Sequence, residues 1–423
     1  MYTTKRWIAH AAVVALAAPA AGAAENAGSD GGFFGGSELS FHGRLRYESA
    51  TDELAADADA LTLRSALSWR TGPIAGLRAW SGFAEVENTA VLGHRDYTDG
   101  TADRGTVMIA DPPATELNQL YMSYRSPHGL LAQVGRQRIA LGDERFVGAV
   151  AFRQNHQSFD AFRLSYTNPE GWTAGYFYVA NVNRIFGDDA DGRPPGQLGD
   201  HKHDTHLLNA VYEGWPIGSL EAYAYLIDND DFPRVSTDTY GMRFSGRVRP
   251  NRLTYLYTLE FARQRSGTGN PVDYDTSYWR VSGGVSYKRL SVQLTQERLG
   301  SDNDNGFVTP LATLHKFQGW ADKFVVLTPN EGLVDNFITV GGRWPGFRYR
   351  IQYHDFDTDV GSRDIGTEFG AALQHRIGQK YLIEFKYADY RAQDGATGPG
   401  NLDRDTRRVF LSFSAGFGMS RGR

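Results

Sequence analysis

The feature that most constrains this chain is a two-residue alternation of apolar and polar side chains. It recurs in segments of about ten residues from Glu38 almost to the C-terminus. Leu39, Phe41, Leu45 and Tyr47 interleave with His42, Arg44, Arg46 and Glu48. Leu61, Leu63, Leu67 and Trp69 interleave with Thr62, Arg64, Ser68 and Arg70. Phe347, Tyr349, Ile351 and Tyr353 stand against Arg348, Arg350, Gln352 and His354, and Val409, Leu411, Phe413, Ala415 and Phe417 against Arg408, Ser412 and Ser414. A strand turns successive side chains to opposite faces, so each segment reads as a strand with one apolar side. The pattern predicts eighteen strands, the third over 76–87, the eighth over 205–213 and the last over 406–417. Their connections alternate between short turns such as Trp344-Pro345-Gly346 and longer polar loops such as 88–115, 141–156, 185–204 and 300–332.

Strands of a soluble sandwich are usually shorter, around five or six residues. Strands of about ten residues tilted near 45° cross a bilayer core. A sheet in lipid must close on itself to satisfy its edges. Even strand number, alternating turn and loop lengths, and apolar-out, polar-in faces are the marks of a bacterial outer-membrane barrel. The expected fold class is therefore all-β, a transmembrane antiparallel β-barrel of about 18 strands. Mean hydropathy is −0.44 and no long apolar run follows the N-terminal region, which argues against a helical membrane protein. With no cysteine, there is no disulfide scaffold, thiolate metal site or cysteine nucleophile. The net charge of −5 argues against a general nucleic-acid-binding surface.

Lys5 and Arg6, then an Ala- and Val-rich stretch, then Ala21-Gly22-Ala23 form a three-part secretory signal. The expected organisation is a signal peptide over 1–24, a Gly-rich flexible segment over 25–37, the barrel over 38–418 and a tail over 419–423. The terminal aromatic strand is expected to end at Phe417.

An eighteen-stranded barrel leaves a water-filled lumen unless loops fill it. The inward face should carry Arg44, Arg46, Arg64, Arg163, Arg243, Arg247, Arg348, Arg350, Arg376 and Arg408, while parity leaves Arg136 and Arg138 open. Inward acids include Glu48, Glu85, Glu87, Glu221, Glu260, Glu297, Glu368 and Glu384. Two readings follow: a salt-bridged lumen without selectivity, or a conduit for anions, which arginine rings favour. The chain has 37 Arg against 7 Lys, and arginine suits bidentate recognition of carboxylates. The loop 141–156 either folds inward, presenting Arg145, Arg153 and Asn155 to the lumen, or caps it from outside. The apolar residues and Trp320 of the loop 300–332 need a surface to pack on, at the rim or in the mouth.

Two stretches are similar to the alginate-export family of outer-membrane barrels. One runs from Val134-Gly135-Arg136-Gln137 through Gly142-Asp143-Glu144-Arg145-Phe146 to Arg153-Gln154-Asn155 and Ser158-Phe159-Asp160. The other is Thr313-Leu314-His315-Lys316-Phe317-Gln318-Gly319-Trp320-Ala321-Asp322 with Thr328-Pro329-Asn330. The resemblance implies an arginine-lined pore that passes a polyuronate outward by passive diffusion. It also implies that Arg136, Arg153, Asn155 and Asp160 line the constriction. His315, Lys316, Trp320 and Asp322 carry the second motif. Implied partners are outer-membrane lipid, an anionic saccharide such as alginate or a related organic acid, and periplasmic export or assembly proteins. The barrel is expected to be a monomer without cofactor or metal, and to be no enzyme. The alternative is a porin for small organic acids.

Other chemistry is weaker. His201, His203 and His206 with Asp204 have zinc-like spacing, but no second shell is evident, and a solvated loop end is the simpler reading. Asp188, Asp189 and Asp191 fail the ligand pattern of a calcium loop. His156 beside Ser158 is the nearest approach to a hydrolase pair on an outer wall, and it has no third member.

Overall fold

The computed structural model describes residues 36–53, 55–74, 77–187, 193–325, 328–396 and 398–420. The signal peptide, nearly all of the 25–37 segment, Asp188 to Gly192 and 421–423 lie outside them.

Eighteen antiparallel strands form one closed sheet. The first group comprises β1 (Glu38–Asp52), β2 (Ala58–Arg70), β3 (Trp80–Val91), β4 (Ala114–Arg125), β5 (Leu130–Gln137), β6 (Ser158–Thr167) and β7 (Trp172–Asn183). β8 (Asp200–Trp215), β9 (Gly218–Ile227), β10 (Thr237–Val248), β11 (Leu253–Ser266), β12 (Asp275–Tyr287) and β13 (Leu290–Leu299) follow. A small hairpin, β14 (Ser301–Asp302) and β15 (Asn305–Gly306), stands in the long loop after β13. β16 (Leu333–Trp344), β17 (Phe347–Asp357), β18 (Asp364–Ile377), β19 (Tyr381–Ala392) and β20 (Thr406–Ser420) complete the wall. Each strand pairs with its sequence neighbours, and β1 pairs with β20 from Glu38 opposite Ser420 to Asp52 opposite Thr406. No edge is left, which is what a sheet in hydrocarbon requires.

The bounds of β3, β8 and β20 differ from expectation, with β3 ending at Val91 rather than 87 and β8 at Trp215 rather than 213. β3 begins at Trp80, because Ile74 bridges Leu77 ahead of it and the Ile74 N–H donates to the Trp80 carbonyl at 3.1 Å. β8 begins at Asp200 rather than 205, its polar start having masked the alternation. β20 continues past Phe417 to Ser420, carried by its pairing with β1.

The outward face carries Leu67, Leu120, Val134, Met242, Phe261 and Leu294, each more than half exposed. Such a band is stable only against an apolar solvent, since each exposed side chain forgoes roughly 1.5–3 kcal/mol in water. Trp80, Trp172, Trp215 and Trp344 sit near the short-turn end, where an aromatic girdle belongs.

At the long-loop end the lumen is filled. L3 (138–157) and L7 (300–332) fold inward. Val147 of L3 bridges Leu311 of L7, and the Gly148 N–H donates to the Leu311 carbonyl at 2.8 Å. Phe146 is ringed by Tyr223, Tyr278 and Phe307 at centroid distances of 5.2, 5.3 and 5.9 Å. One apolar core thus joins L3, L7 and the inner face of β6–β9, β11–β13 and β16–β19.

Candidate functional site: the lumen and its inner loops

Inward parity follows the alternation. Arg44, Arg46, Arg64, Arg163, Arg243, Arg247, Arg348, Arg350, Arg376 and Arg408 share faces with the buried or lumen-facing residues of their strands, opposite the apolar band. Their electrostatic settings fall into two classes by depth.

Around the inner loops the cations are paired. Arg46 binds Asp111 of L2 (92–113). Arg64 binds Glu87, which also accepts from Arg138 at 3.0 Å. Arg243 bridges Glu221 at 2.6 Å and Asp143 of L3 at 3.0 Å, and Arg280 bridges Glu260 at 2.8 Å and Asp143 at 2.6 Å. Burial would raise the Asp143 carboxyl, but Arg280 and Arg243 outweigh it and hold the group below its ordinary range. Among the described residues Arg44 has no carboxylate within ion-pair distance: its guanidinium donates to Gln154 Oε1 at 2.8 Å, to the Ala151 carbonyl at 3.0 Å and to the Arg153 carbonyl.

L3 and L7 are held by ions rather than by loop packing alone. Arg145 is 1% exposed and donates to Glu297 at 2.7 Å, where Tyr278 donates at 2.6 Å and Gln318 also donates. Arg153 donates to Asp322 of L7 at 2.5 Å and to Glu48 of the wall at 3.2 Å. Arg408 donates to Glu48 at 2.9 Å and to the Ala321 carbonyl at 2.9 Å. Glu368 accepts from the backbone N–H groups of Trp320 and Ala321, the latter at 3.0 Å, which pins L7 to β18. His315 stacks on Phe152 at 3.5 Å, contacts Asp322 Oδ1 through Nδ1 at 2.5 Å and meets Lys386 Nζ through Nε2 at 3.0 Å. Lys386 also lies over Phe152 at 4.3 Å and Trp320 at 4.8 Å. Burial, the largest influence, drops the His315 imidazole to about 3, so at neutral pH it is uncharged. Its Nδ1–H then donates to Asp322, and Nε2 accepts from the Lys386 ammonium. Lys316 reaches the Asp143 carbonyl at 2.6 Å. Asn155 Nδ2 donates to the Arg184 carbonyl at 3.4 Å and is buried at the L3 end of the lumen.

Towards the short-turn end the setting reverses. Arg343, Arg348, Arg350 and Arg376 are exposed, and among the described residues none of them forms an ion pair. Arg343 and Arg348 stand directly opposite each other across β16 and β17. Like charges so placed repel, a cost that only solvent or an anion relieves. Arg163 lies over the Phe177 ring at 5.3 Å.

The structure separates one expected group. Arg136 and Asp160 form a two-pronged pair at 2.7 and 3.0 Å, but on the face of Val134, Phe162 and Leu164. They therefore lie on the outer wall, not in a constriction, because Arg136 shares the outward parity of Leu130 and Val134 in β5. His201 and His203 point inward and are buried, whereas His206 and Asp204 point outward, so the expected cluster is split by strand alternation. His156 and Ser158 are both buried inside rather than on an outer wall, and among the described residues neither His156 ring nitrogen has a hydrogen-bond partner. Burial, reinforced by Arg64 and Arg138, keeps His156 far below its ordinary pKa. Lys386, Arg280 and Arg343 were not singled out in the sequence. Alternation alone places each inward, and Arg280 and Lys386 are flanked by aromatic residues that obscure the polar face.

Solved structures with this fold include Pseudomonas aeruginosa OccK1 (OpdK), with a TM-score of 0.69 and 13% identity over 92% of this chain and 100% of that one. Another is Acinetobacter baumannii OccAB4, with a TM-score of 0.69 and 12% identity over 91% of this chain and 98% of that one. No curated protein matches in sequence. The family model for alginate export matches residues 37–306. Closed barrel, inward-folded loops and family match agree on an outer-membrane channel, and the chain belongs to the alginate export family.

Proposed function

We propose that this channel passes an anionic saccharide such as alginate, or a related acidic solute, by passive diffusion along lumen arginines. The observation that carries the reading is the exposed set Arg343, Arg348, Arg350 and Arg376 on the inner wall near the short turns, none of them ion-paired among the described residues, with Glu384 on the same wall held by Gln374. Guanidinium forks there can hold a carboxylate bidentately while water keeps each contact weak enough to release. Arg163 and Arg247 extend the track towards the inner loops, where Arg243 is paired with Glu221 and Asp143 and Arg44 holds L3. Arg46, Arg64 and Arg153 support L2 and L3 through their carboxylate partners, and Asn155 steadies the same loop. Secretion by a signal peptide over 1–24, a monomeric state and periplasmic assembly partners belong to the same proposal.

A second reading, a porin for small organic acids, is favoured by the apolar core that L3 and L7 pack inside the lumen at the long-loop end. P. aeruginosa OpdK, of similar fold, has been crystallised with vanillate. A hydrolase reading has no support from the His156–Ser158 geometry.

The test is the reversal potential in a salt gradient for the wild type and for Arg348→Ala/Arg350→Ala. Anion preference should fall in the double variant, with single-channel opening retained. Unchanged selectivity would count against the arginine track.

A further inference from the structure

We infer that Asp322 occupies a carboxylate-binding cradle inside the lumen, as a resident stand-in that the carboxylate of a passing solute displaces. The inference rests on the acidic-solute reading above. Four side chains make the cradle. Arg153 donates to Asp322 Oδ2 at 2.5 Å, and Arg408 Nη1 lies 3.8 Å from the same oxygen. His315 Nδ1 meets Oδ1 at 2.5 Å, and Lys386 backs that imidazole at 3.0 Å. One carboxylate thus faces two guanidinium groups directly and an ammonium through a neutral ring. Burial would push the Asp322 carboxyl up, but His315, Arg153 and Arg408 outweigh it and hold it ionised well below the ordinary range.

Asp322 reaches this position at a backbone cost. Its φ is +62°, in the left-handed region that non-glycine residues seldom adopt. Gln318 of the same loop, at +50°, and Glu144 and Val150 of L3, at +69° and +50°, share that conformation. A strained loop that presents its own carboxylate to a cationic cradle is held there by that contact. Arg153 and Arg408 do not depend on Asp322 alone, since both also bind Glu48, at 3.2 and 2.9 Å. The cradle therefore persists when Asp322 leaves.

The cradle is buried behind L7, and Lys386 marks its lumen edge. Lys386 is only partly buried, and in register across the wall it lies on one row with Ala372 and Arg350. Arg350 is thus two strands away, roughly 10 Å at the usual strand spacing. A carboxylate held at Arg350 is one row from Lys386, and it gains the oxygen positions that Asp322 fills as L7 withdraws that side chain.

The experiment uses the full barrel in planar bilayers, titrated with a short oligoguluronate. Asp322→Asn and Asp322→Ser remove the resident carboxylate and keep all four cradle side chains. Both should bind oligoguluronate about tenfold more tightly, read as the concentration that halves the current. Retention of the compact, unheated electrophoretic mobility confirms an intact barrel. Block at the wild-type concentration, or at a higher one, in both variants would overturn the inference and leave the acidic-solute reading standing. A wild-type channel that oligoguluronate does not block at all would remove that reading, and this inference with it.

Discussion

At the scale of residues, arginines on one inner wall do different work, and their partners separate them. Arg145, wholly buried and paired with Glu297, is a bolt that fastens L3 to β13. Breaking a buried pair by removing one partner costs about 3–5 kcal/mol. Arg145→Ala should therefore lower thermal stability by that order and expose L3 to protease, with both read in detergent. Arg348→Ala, at an exposed position, should leave the melting temperature within error of wild type. The latch at Asp322 has a defined pH dependence. A carboxyl whose pKa is depressed by folding stabilises fully above its unfolded value and loses that contribution only as pH falls through the lower folded value. Conductance and its block by acidic solute should therefore hold from pH 7 down to about pH 5, as bilayer recordings at both values would show. The inward set from Arg44 to Arg408 was legible because alternation is a geometric rule. Arg136 was not: β5 is short, and only its partners decide which way its last residues face. Pairing state was hidden as well, because Glu297 is distant in sequence from Arg145 and meets it only once the wall has closed.

At the scale of elements, L3 and L7 behave as one body. The Val147–Leu311 bridge, the donation from Gly148 and the Arg153–Asp322 pair join them across more than 150 residues of chain. That coupling predicts matched protection. Amides of L3 and L7 should exchange with deuterium on one timescale, and Glu368→Gln, which weakens the seat of Trp320 and Ala321, should speed exchange in both loops together. Acceleration confined to L7 would show that the loops move separately. Val150 supplies a test of strain. A β-branched side chain at a φ of +50° costs roughly 1–2 kcal/mol, so Val150→Gly should stabilise L3 by up to about 1 kcal/mol after the entropy of glycine is counted. The strands themselves were readable to within a few residues where both faces alternate. The start of β3 was missed because Ile74 and Leu77 continue the apolar rhythm through a turn. The inward course of L3 stayed open because Phe146, Val147 and Phe152 mark it as needing cover but not where the cover lies.

At the scale of the molecule, closure, a lipid-facing band and a lumen of graded charge belong together. The seam between β1 and β20 lets an apolar outer face exist without an open edge. It also brings Arg408 beside Glu48, so the final strand completes the seat of L7. Polar networks are concentrated at the long-loop end and bare arginines at the short-turn end. An anion entering from the short-turn side meets exposed arginines that form no ion pair among the described residues, with Glu384 beside them, before it reaches the L3–L7 barrier. The most direct test is planar-bilayer recording of the refolded wild-type barrel, with reversal potential in a salt gradient before and after oligouronate is added. The account predicts an anion-selective current that oligouronate blocks. A current without anion preference, left untouched by oligouronate, would contradict it.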